Sequence, residues 1–395
     1  MASLQPLRSY VRQNVGTLRA SPCFLISSTP PPNDDDRSGV HDAKAHDFVQ
    51  RNLSLSMQYD LRSTFCTISS AYPTSESVDE AVSLAKRAGM AGDGAVVIGV
   101  GSAAAIDLAK ATATRLGSSS LVLSPFSLGG LWAASSPQHL LLDTKEECIL
   151  QKKTAVKDTV ITLDEPRCLV DLPLYSEFQP HARDAYCSDT LAMSHFAAGG
   201  LAVLLANLNS LVDESHNHSE LISLSSELAT VLRLACKLRQ KGDDEMRETC
   251  TAAAKDSLLE AIPRLHNVLG NVSTSGPQTL ANALLPTHFP QSHYVSFLGC
   301  TLNGICDTLS QDSEQDLVQS VASAILDTGE DVISLSAWSE QMTRDCGIPS
   351  LSSYAFGTPD VKTLFGSLGS YESLMDQALS QTDRQRIEQV LRRSL

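Results

Sequence analysis

Positive charge and aromatic side chains are scarce in this chain. It sets 30 Lys and Arg against 45 Asp and Glu, a formal net charge of -15 at pH 7, and only 5% of its 395 residues are Phe, Trp or Tyr. No basic stripe interleaved with aromatics appears, so the field of the chain opposes a polyanion and no nucleic-acid partner is expected. Long apolar runs are missing as well. None approaches the roughly 20 residues that a membrane-crossing helix needs, so no membrane association is expected. The ten cysteines are scattered through apolar segments, with no C-x-x-C pair and no secretory signal ahead of them. They read as reduced, mostly buried thiols of an intracellular, cytoplasmic protein. Internal repeats and low-complexity tracts are also lacking.

Residues 1–33 carry Arg8, Arg12 and Arg19 and no acid before Asp34, the composition of a mitochondrial presequence. Leu4, Leu7, Tyr10, Val11 and Val15 recur at helical spacing, however, and lead into the apolar run CFLIS. The first reading is therefore an amphipathic helix of the fold, with a mitochondrial presequence as the alternative.

What the chain does have is 42% hydrophobic residues and a length that favours two domains. Up to about residue 175, short apolar runs alternate with helical stretches. Strands are expected at CFLIS (23–27), TFCTIS (64–69), AVVIGV (95–100) and SLVLSP (120–125), and helices at 40–52, at 75–89 with Ser75 as N-cap, and at 103–115. That alternation predicts a parallel sheet covered on both faces. PPPNDDDR (30–37) reads as a charged, turn-forming loop insertion. After about residue 180 the strand signals stop, and 186–208, 218–241, 246–261, 291–310 and 315–328 show helical periodicity. The expected organisation is an α/β domain over 1–175 and an all-helical domain over 176–395.

The stretch GAVVIGVGSAAAIDLAK (94–110) joins a β-branched strand to an alanine-rich helix through Gly99, Gly101 and Ser102. A glycine turn at that junction lets a phosphate approach the backbone, and the helix N-terminus offers unpaired N–H groups and partial positive charge. The G-x-G-x-x-G spacing is absent because Ala104 stands third, so spacing alone leaves a nucleotide cradle and a structural turn equally open.

GVGSAAAIDLAKA resembles the G-G-G-S-x-x-D-x-A-K motif of the iron-containing alcohol dehydrogenase and dehydroquinate synthase-like superfamily, with Val100 in place of the middle glycine. AYPTSESVDEAVSLAKRAG (71–89) is similar to the family segment before that loop, and LVDLPLYSEFQP (169–180) to its closing strand and interdomain link. LISSTP (25–30), QKKT (151–154), RLHNVLGN (264–271) and ALLP (283–286) resemble the maleylacetate reductase branch. The likeness covers most of residues 20–390, discontinuously. It implies the two-domain dehydroquinate synthase-like fold, with NAD(P)H in the α/β half and a small-molecule substrate and a divalent metal, iron or zinc, at a cleft between the halves. It also implies cofactor contacts at Gly99, Gly101, Ser102 and Asp107, at Ser28 and Thr29 after the first strand, and at Pro125 and Ser127 in SPFSLGGLW, a flexible polar turn where the family has P-T-T-x-x-G-S-E. Small hydroxyl residues at 28 and 29 do not repel a 2'-phosphate, so NADH and NADPH both stay open. Val100 is expected to strain the loop if its position needs a positive φ. A homodimer is compatible with the sequence.

The sequence departs from the family at the metal. Asp189 stands at the aspartate position of the family's D-A-L-x-H-x-x-E, but Met193 replaces the histidine, and a thioether is a poor ligand for iron(II) or zinc. His195, two positions on, projects about 200° away around the helix. The remaining family histidines fall on Pro263, Asn267 and Pro277. No metal set is expected beyond Asp189 as a weak candidate; an alternative keeps the metal with Asp189, His195 and His266. The candidate catalytic groups are Asp189, His266, His288 and Lys153, acting as hydrogen-bond or proton donors in place of the Lewis acid. Three of these also have an ordinary reading: Asp189 as a helix N-cap, His288 as a surface histidine, and Lys153, with Lys152 and Lys157, as a solvated turn, like the loop pair His216 and His218. The expectation is an NAD(P)H-dependent reductase of a small carbonyl or oxo-acid that works without the usual metal. The alternative is a redox-inactive relative that binds or scaffolds, or catalyses a non-redox step.

Overall fold

The computed structural model describes residues 7–28, 53–68, 72–90, 94–125, 127–144, 148–162, 185–211, 218–240, 244–270, 294–311, 316–326, 334–354, 357–363 and 381–395. The chain divides into two compact units, Met1–Leu172 and Pro173–Leu395.

In the first unit, β1 (Cys23–Ser28), β2 (Ser63–Ile68), β3 (Val96–Gly101), β4 (Ser120–Pro125) and β7 (Asp158–Ile161) form one sheet in the order β2-β1-β3-β4-β7. Every neighbouring pair is parallel. Alternation along the strands divides the side chains between two cores. Cys23, Leu25, Val96, Ile98, Val100 and Val122 pack with Leu7 and Val11 of α1 (Leu7–Gln13), Leu18 of α2 (Val15–Ala20) and Leu55 of α3 (53–58). Phe24, Ile26, Val97, Leu121 and Leu123 pack on the other side with α4 (Ser75–Arg87), α5 (Ala103–Leu116) and α6 (Leu128–Ser135). Both faces are thus covered, which is why β3 reads as an unbroken apolar run and not as an alternation. The amphipathic spacing of Leu7 and Val11 is that of a fold helix buried on the sheet.

Two local expectations are corrected, and one element is new. The cap of α4 is Thr74, not Ser75: the Thr74 hydroxyl accepts from the Ser77 N–H and the Ser77 hydroxyl accepts from the Thr74 N–H, a reciprocal capping box. SPFSLGGLW is not a flexible turn, because Ser127 caps α6 from within it. β5 (Gln138–Asp143) and β6 (Cys148–Lys153) form a separate antiparallel pair that the alternation of strands and helices gave no reason to expect. The helix expected at 40–52 lies outside the described residues.

The second unit is helical throughout its described residues. It comprises α7 (Ala185–Leu211), α8 (His218–Gln240), α9 (Asp244–Leu269), α10 (Tyr294–Cys300), α11 (Leu302–Gln311), α12 (Asp316–Leu326), α13 (Leu335–Cys346), α14 (358–363) and α15 (Gln381–Ser394). From Met193 to Leu205, α7 is buried on all sides, the pattern of a central helix with neighbours all round. The single helix expected over 291–310 breaks at Thr301, whose N–H and hydroxyl both turn back to the Leu298 carbonyl. Cys236 of α8 and Cys346 of α13 form a disulfide, so the expectation of uniformly reduced thiols fails for this pair. No helix among the described residues is long and apolar enough to cross a membrane.

Candidate functional site

In the sheet order, β2 lies on one side of β1, whereas β3, β4 and β7 follow on the other. The winding reverses between β1 and β3, and in open parallel sheets the crevice beyond the carboxyl ends at such a reversal is where ligands bind. β1 ends there at Ser28 and β3 at Gly101. Gly101 has φ of 123°, a conformation that any side chain would strain. Ser102 follows as the N-cap of α5, and its carbonyl accepts the Ile106 N–H at 3.1 Å.

A second helix start lies beside the first. Gly101 pairs with Pro125 at the end of β4, and Ser127, fully buried, accepts the Gly130 N–H at 2.9 Å to cap α6. A Cβ on Gly130 would stand 2.5 Å from the Gly101 carbonyl oxygen and 3.2 Å from Pro125 Cβ. Two glycines therefore bring the turns that open α5 and α6 into contact. Neither helix has an acid in its first turn, so nothing there neutralises the partial positive charge of the helix ends. Together these turns suit a phosphate group.

Gly99 and Val100 point to opposite faces. A Cβ on Gly99 would lie 2.6 Å from Ala109 Cβ, so this glycine lets α5 sit close on the sheet. Val100 is buried in the core on the α1 side, and the strain expected at this position does not arise because the positive φ belongs to Gly101. Ser27 and Ser124 stand in register on either side of Val100 with buried hydroxyls that take no partner among the described residues, a feature the sequence did not signal.

Asp107 and Lys110 are 3% and 1% exposed. The Lys110 ammonium donates to the carbonyls of Ala133, of Ser136 at 2.6 Å and of Gln138 at 3.0 Å, closing the end of α6 and the entry to β5. The Asp107 carboxylate accepts the Leu140 N–H. Burial pushes the carboxyl pKa up and the ammonium pKa down, and the opposite charge of the partner offsets part of each shift. His139, also missed in the sequence, lies beside them with Nδ1 3.1 Å from the Thr154 hydroxyl. Asp107, a cofactor contact by resemblance, thus has an intramolecular partner within the sheet layer.

The other candidates are dispersed. Ser28 ends β1, its side chain outside the described set; Thr29 and His288 also lie outside it. Pro125 is buried at the end of β4, and Lys153 is exposed on β6. Asp189 lies inside α7 and does not cap it, because the helix begins at Ala185; its side chain is not described. His266 sits in the last turn of α9, half-buried, with Nε2 inside. Lys153 belongs to the first unit, and Asp189 and His266 to the second. Met193, at the position of a metal-ligating histidine in the resemblance, is completely buried, and His195 is 3% exposed. Among the described residues no group of three or more His, Cys, Asp or Glu is placed to hold a metal ion.

A parallel α/β unit followed by a helical unit is the fold shared with solved maleylacetate reductases and iron-containing alcohol dehydrogenases. No protein-family model and no curated protein matches the sequence. Among solved structures the chain is similar to maleylacetate reductase from Agrobacterium tumefaciens, at 14% identity and a TM-score of 0.61 over 100% of this chain and 96% of that one. It is similar to maleylacetate reductase from Rhizobium sp. strain MTP-10005, at 14% and 0.61 over 100% and 97%. NADH-dependent butanol dehydrogenase A from Thermotoga maritima gives 12% and 0.64 over 100% and 97%. At these identities the likeness establishes the fold.

Proposed function

We propose that this chain is an NAD(P)H-dependent oxidoreductase that reduces a small carbonyl or oxo-acid. The observation that carries the reading is the contact of Gly101 with Gly130, which brings the starts of α5 and α6 together at the switch point. The residues fit the cofactor: backbone N–H groups of the two first turns would bind the diphosphate, Gly101 would let it come close, and Ser127 fixes the start of α6. The dihydronicotinamide, when bound, supplies the hydride. The candidates to donate a proton to the product oxygen are Asp189, His266, His288 and Lys153.

The residues do not fit the iron or zinc of the fold family. Met193 supplies a buried thioether where an imidazole is needed, and His195 stands two residues from that position. No step of the proposal runs through a metal, and the transition-state oxyanion is held by hydrogen-bond donors. That same donor set favours the second reading, a binding protein or a catalyst of a non-redox step in an inherited site. The proposed partners are small molecules, not nucleic acid or membrane, and the proposed compartment is the cytoplasm. Fluorescence titration with NADPH and NADH tests the reading. Micromolar binding that is lost in Gly101→Val supports it; no binding of either nucleotide moves the assignment to the non-redox reading.

A further inference from the structure

The α8–α13 contact in the helical unit is built around a cysteine pair. Cys236 and Cys346 lie 110 residues apart in sequence, their Cα atoms are 4.7 Å apart, and they are joined as a disulfide. They are 5% and 2% exposed. The surrounding carbonyls are arranged reciprocally: Cys236 Sγ lies 3.8 Å from the Met342 oxygen and Cys346 Sγ 3.3 Å from the Leu232 oxygen. Each sulfur thus faces the carbonyl four residues before the other cysteine. A buried S–H needs an acceptor, and here both thiols have one when the bond is open. Both redox states are therefore accommodated by one backbone arrangement.

A buried arginine belongs to the same contact between α8 and α13. Arg233 precedes Cys236 by one helical turn on the same face of α8. Its guanidinium stands 5.7 Å from the centroid of the Trp338 ring, two turns before Cys346 on α13, and it donates to the Ile325 carbonyl in the last turn of α12. Burial pushes the thiols of Cys23 and Cys306 up to about 11 and about 12.

We propose that Cys236 and Cys346 are a reversible dithiol–disulfide pair that locks α13 onto α8 and responds to small disulfides of the glutathione type. One cysteine thiolate attacks glutathione disulfide and expels one glutathione thiolate, leaving a mixed disulfide. The second thiolate attacks the protein sulfur of that bond and expels the second glutathione. Two protein thiols are oxidised, one glutathione disulfide is reduced to two thiols, and the two protons leave with them. This inference does not depend on the cofactor reading.

The test equilibrates the full chain in glutathione buffers from reducing to oxidising, alkylates the remaining thiols in acid-quenched samples, and maps peptides by mass. The expected result is a peptide pair linked through 236 and 346 that appears with glutathione disulfide and disappears with excess glutathione. The linked form should melt higher by on the order of 5 °C or more, since the bond closes a long loop. Cys236→Ser and Cys346→Ala should lose the shift, whereas Cys250→Ala should keep it. Comparison of the wild-type chain with and without reductant serves if the variants fold poorly. Three results would each overturn the proposal: separate glutathione adducts with no link, a link that withstands excess reductant, or a reversible link with no change in melting temperature.

Discussion

The carbonyl oxygen of Gly101 occupies the space that a side chain on Gly130 would need, 2.5 Å from an ideal Cβ. The other atoms around that point, Pro125 Cβ at 3.2 Å and Ser127 Oγ at 3.3 Å, belong to the same turn. Gly130→Ala must therefore push α6 away from the end of β3. We expect a loss of roughly 1–3 kcal/mol in stability. Nucleotide affinity should fall at least about tenfold, equivalent to about 1.4 kcal/mol, because the two helix starts no longer face one ligand. Urea unfolding and NADPH titration of the same sample read the two effects, and an unchanged affinity would place the ligand elsewhere.

Gly99 and Gly101 are two residues apart and do different work. Gly99→Ala forces Ala109 away from the sheet and should destabilise by roughly 1–3 kcal/mol while leaving the affinity of the folded fraction unchanged. Gly101→Ala strains a backbone at φ of 123°, which costs on the order of 1–3 kcal/mol, and it also places a methyl group where the phosphate approaches. Only the second substitution should raise the dissociation constant. Equal losses in both would mean that GVGS is a structural turn.

Four strands of the parallel sheet were legible because buried parallel strands need apolar, β-branched runs such as AVVIGV, and because Gly and Ser punctuate the way into α5; the fifth strand, β7, and the order of the strands were not. Less legible was the division of labour inside one motif. By resemblance Gly99, Gly101 and Asp107 form one ligand-facing set, yet only the register of β3 and the rotation of α5 show that Gly99 faces the helix and that Asp107 is buried with Lys110, which faces the end of α6. The β5–β6 pair escaped notice because QHLLLD and CILQKK carry neither a tight turn signal nor a clean alternation. The pairing of Cys236 with Cys346 has no local signature at all, since it depends on how α8 meets α13.

Lys110 is expected to matter for folding before it matters for ligand. Lys110→Met leaves the carbonyls of Ala133, Ser136 and Gln138 without their donor and Asp107 without its cation. Breaking a buried charged pair from one side costs about 3–5 kcal/mol. The double substitution Asp107→Leu with Lys110→Met should be less damaging than Lys110→Met alone, because it removes the stranded carboxylate too. A double-mutant cycle from urea titrations checks the sign. A folded, fully stable Lys110→Met that binds no nucleotide would instead make this lysine a ligand contact.

His139 should make the first unit acid-sensitive. Its ring is 3% exposed, and burial first, then the charges of Lys110 and Lys152, pushes its pKa from 6.5 down to about 4. Between those values the unfolded chain binds the proton and the folded chain does not, so stability rises with pH across that interval. It is fully present above about 6.5 and is lost as pH falls toward 4. The shift corresponds to ~3 kcal/mol when the whole interval is crossed. His139→Gln keeps a polar partner for the Thr154 hydroxyl and cannot take up the proton. It should therefore flatten most of the acid limb when unfolding is followed in urea at neutral pH and near pH 4. If wild type and variant lose the same stability on acidification, the proton is taken up by another group and His139 is only a neutral member of the core.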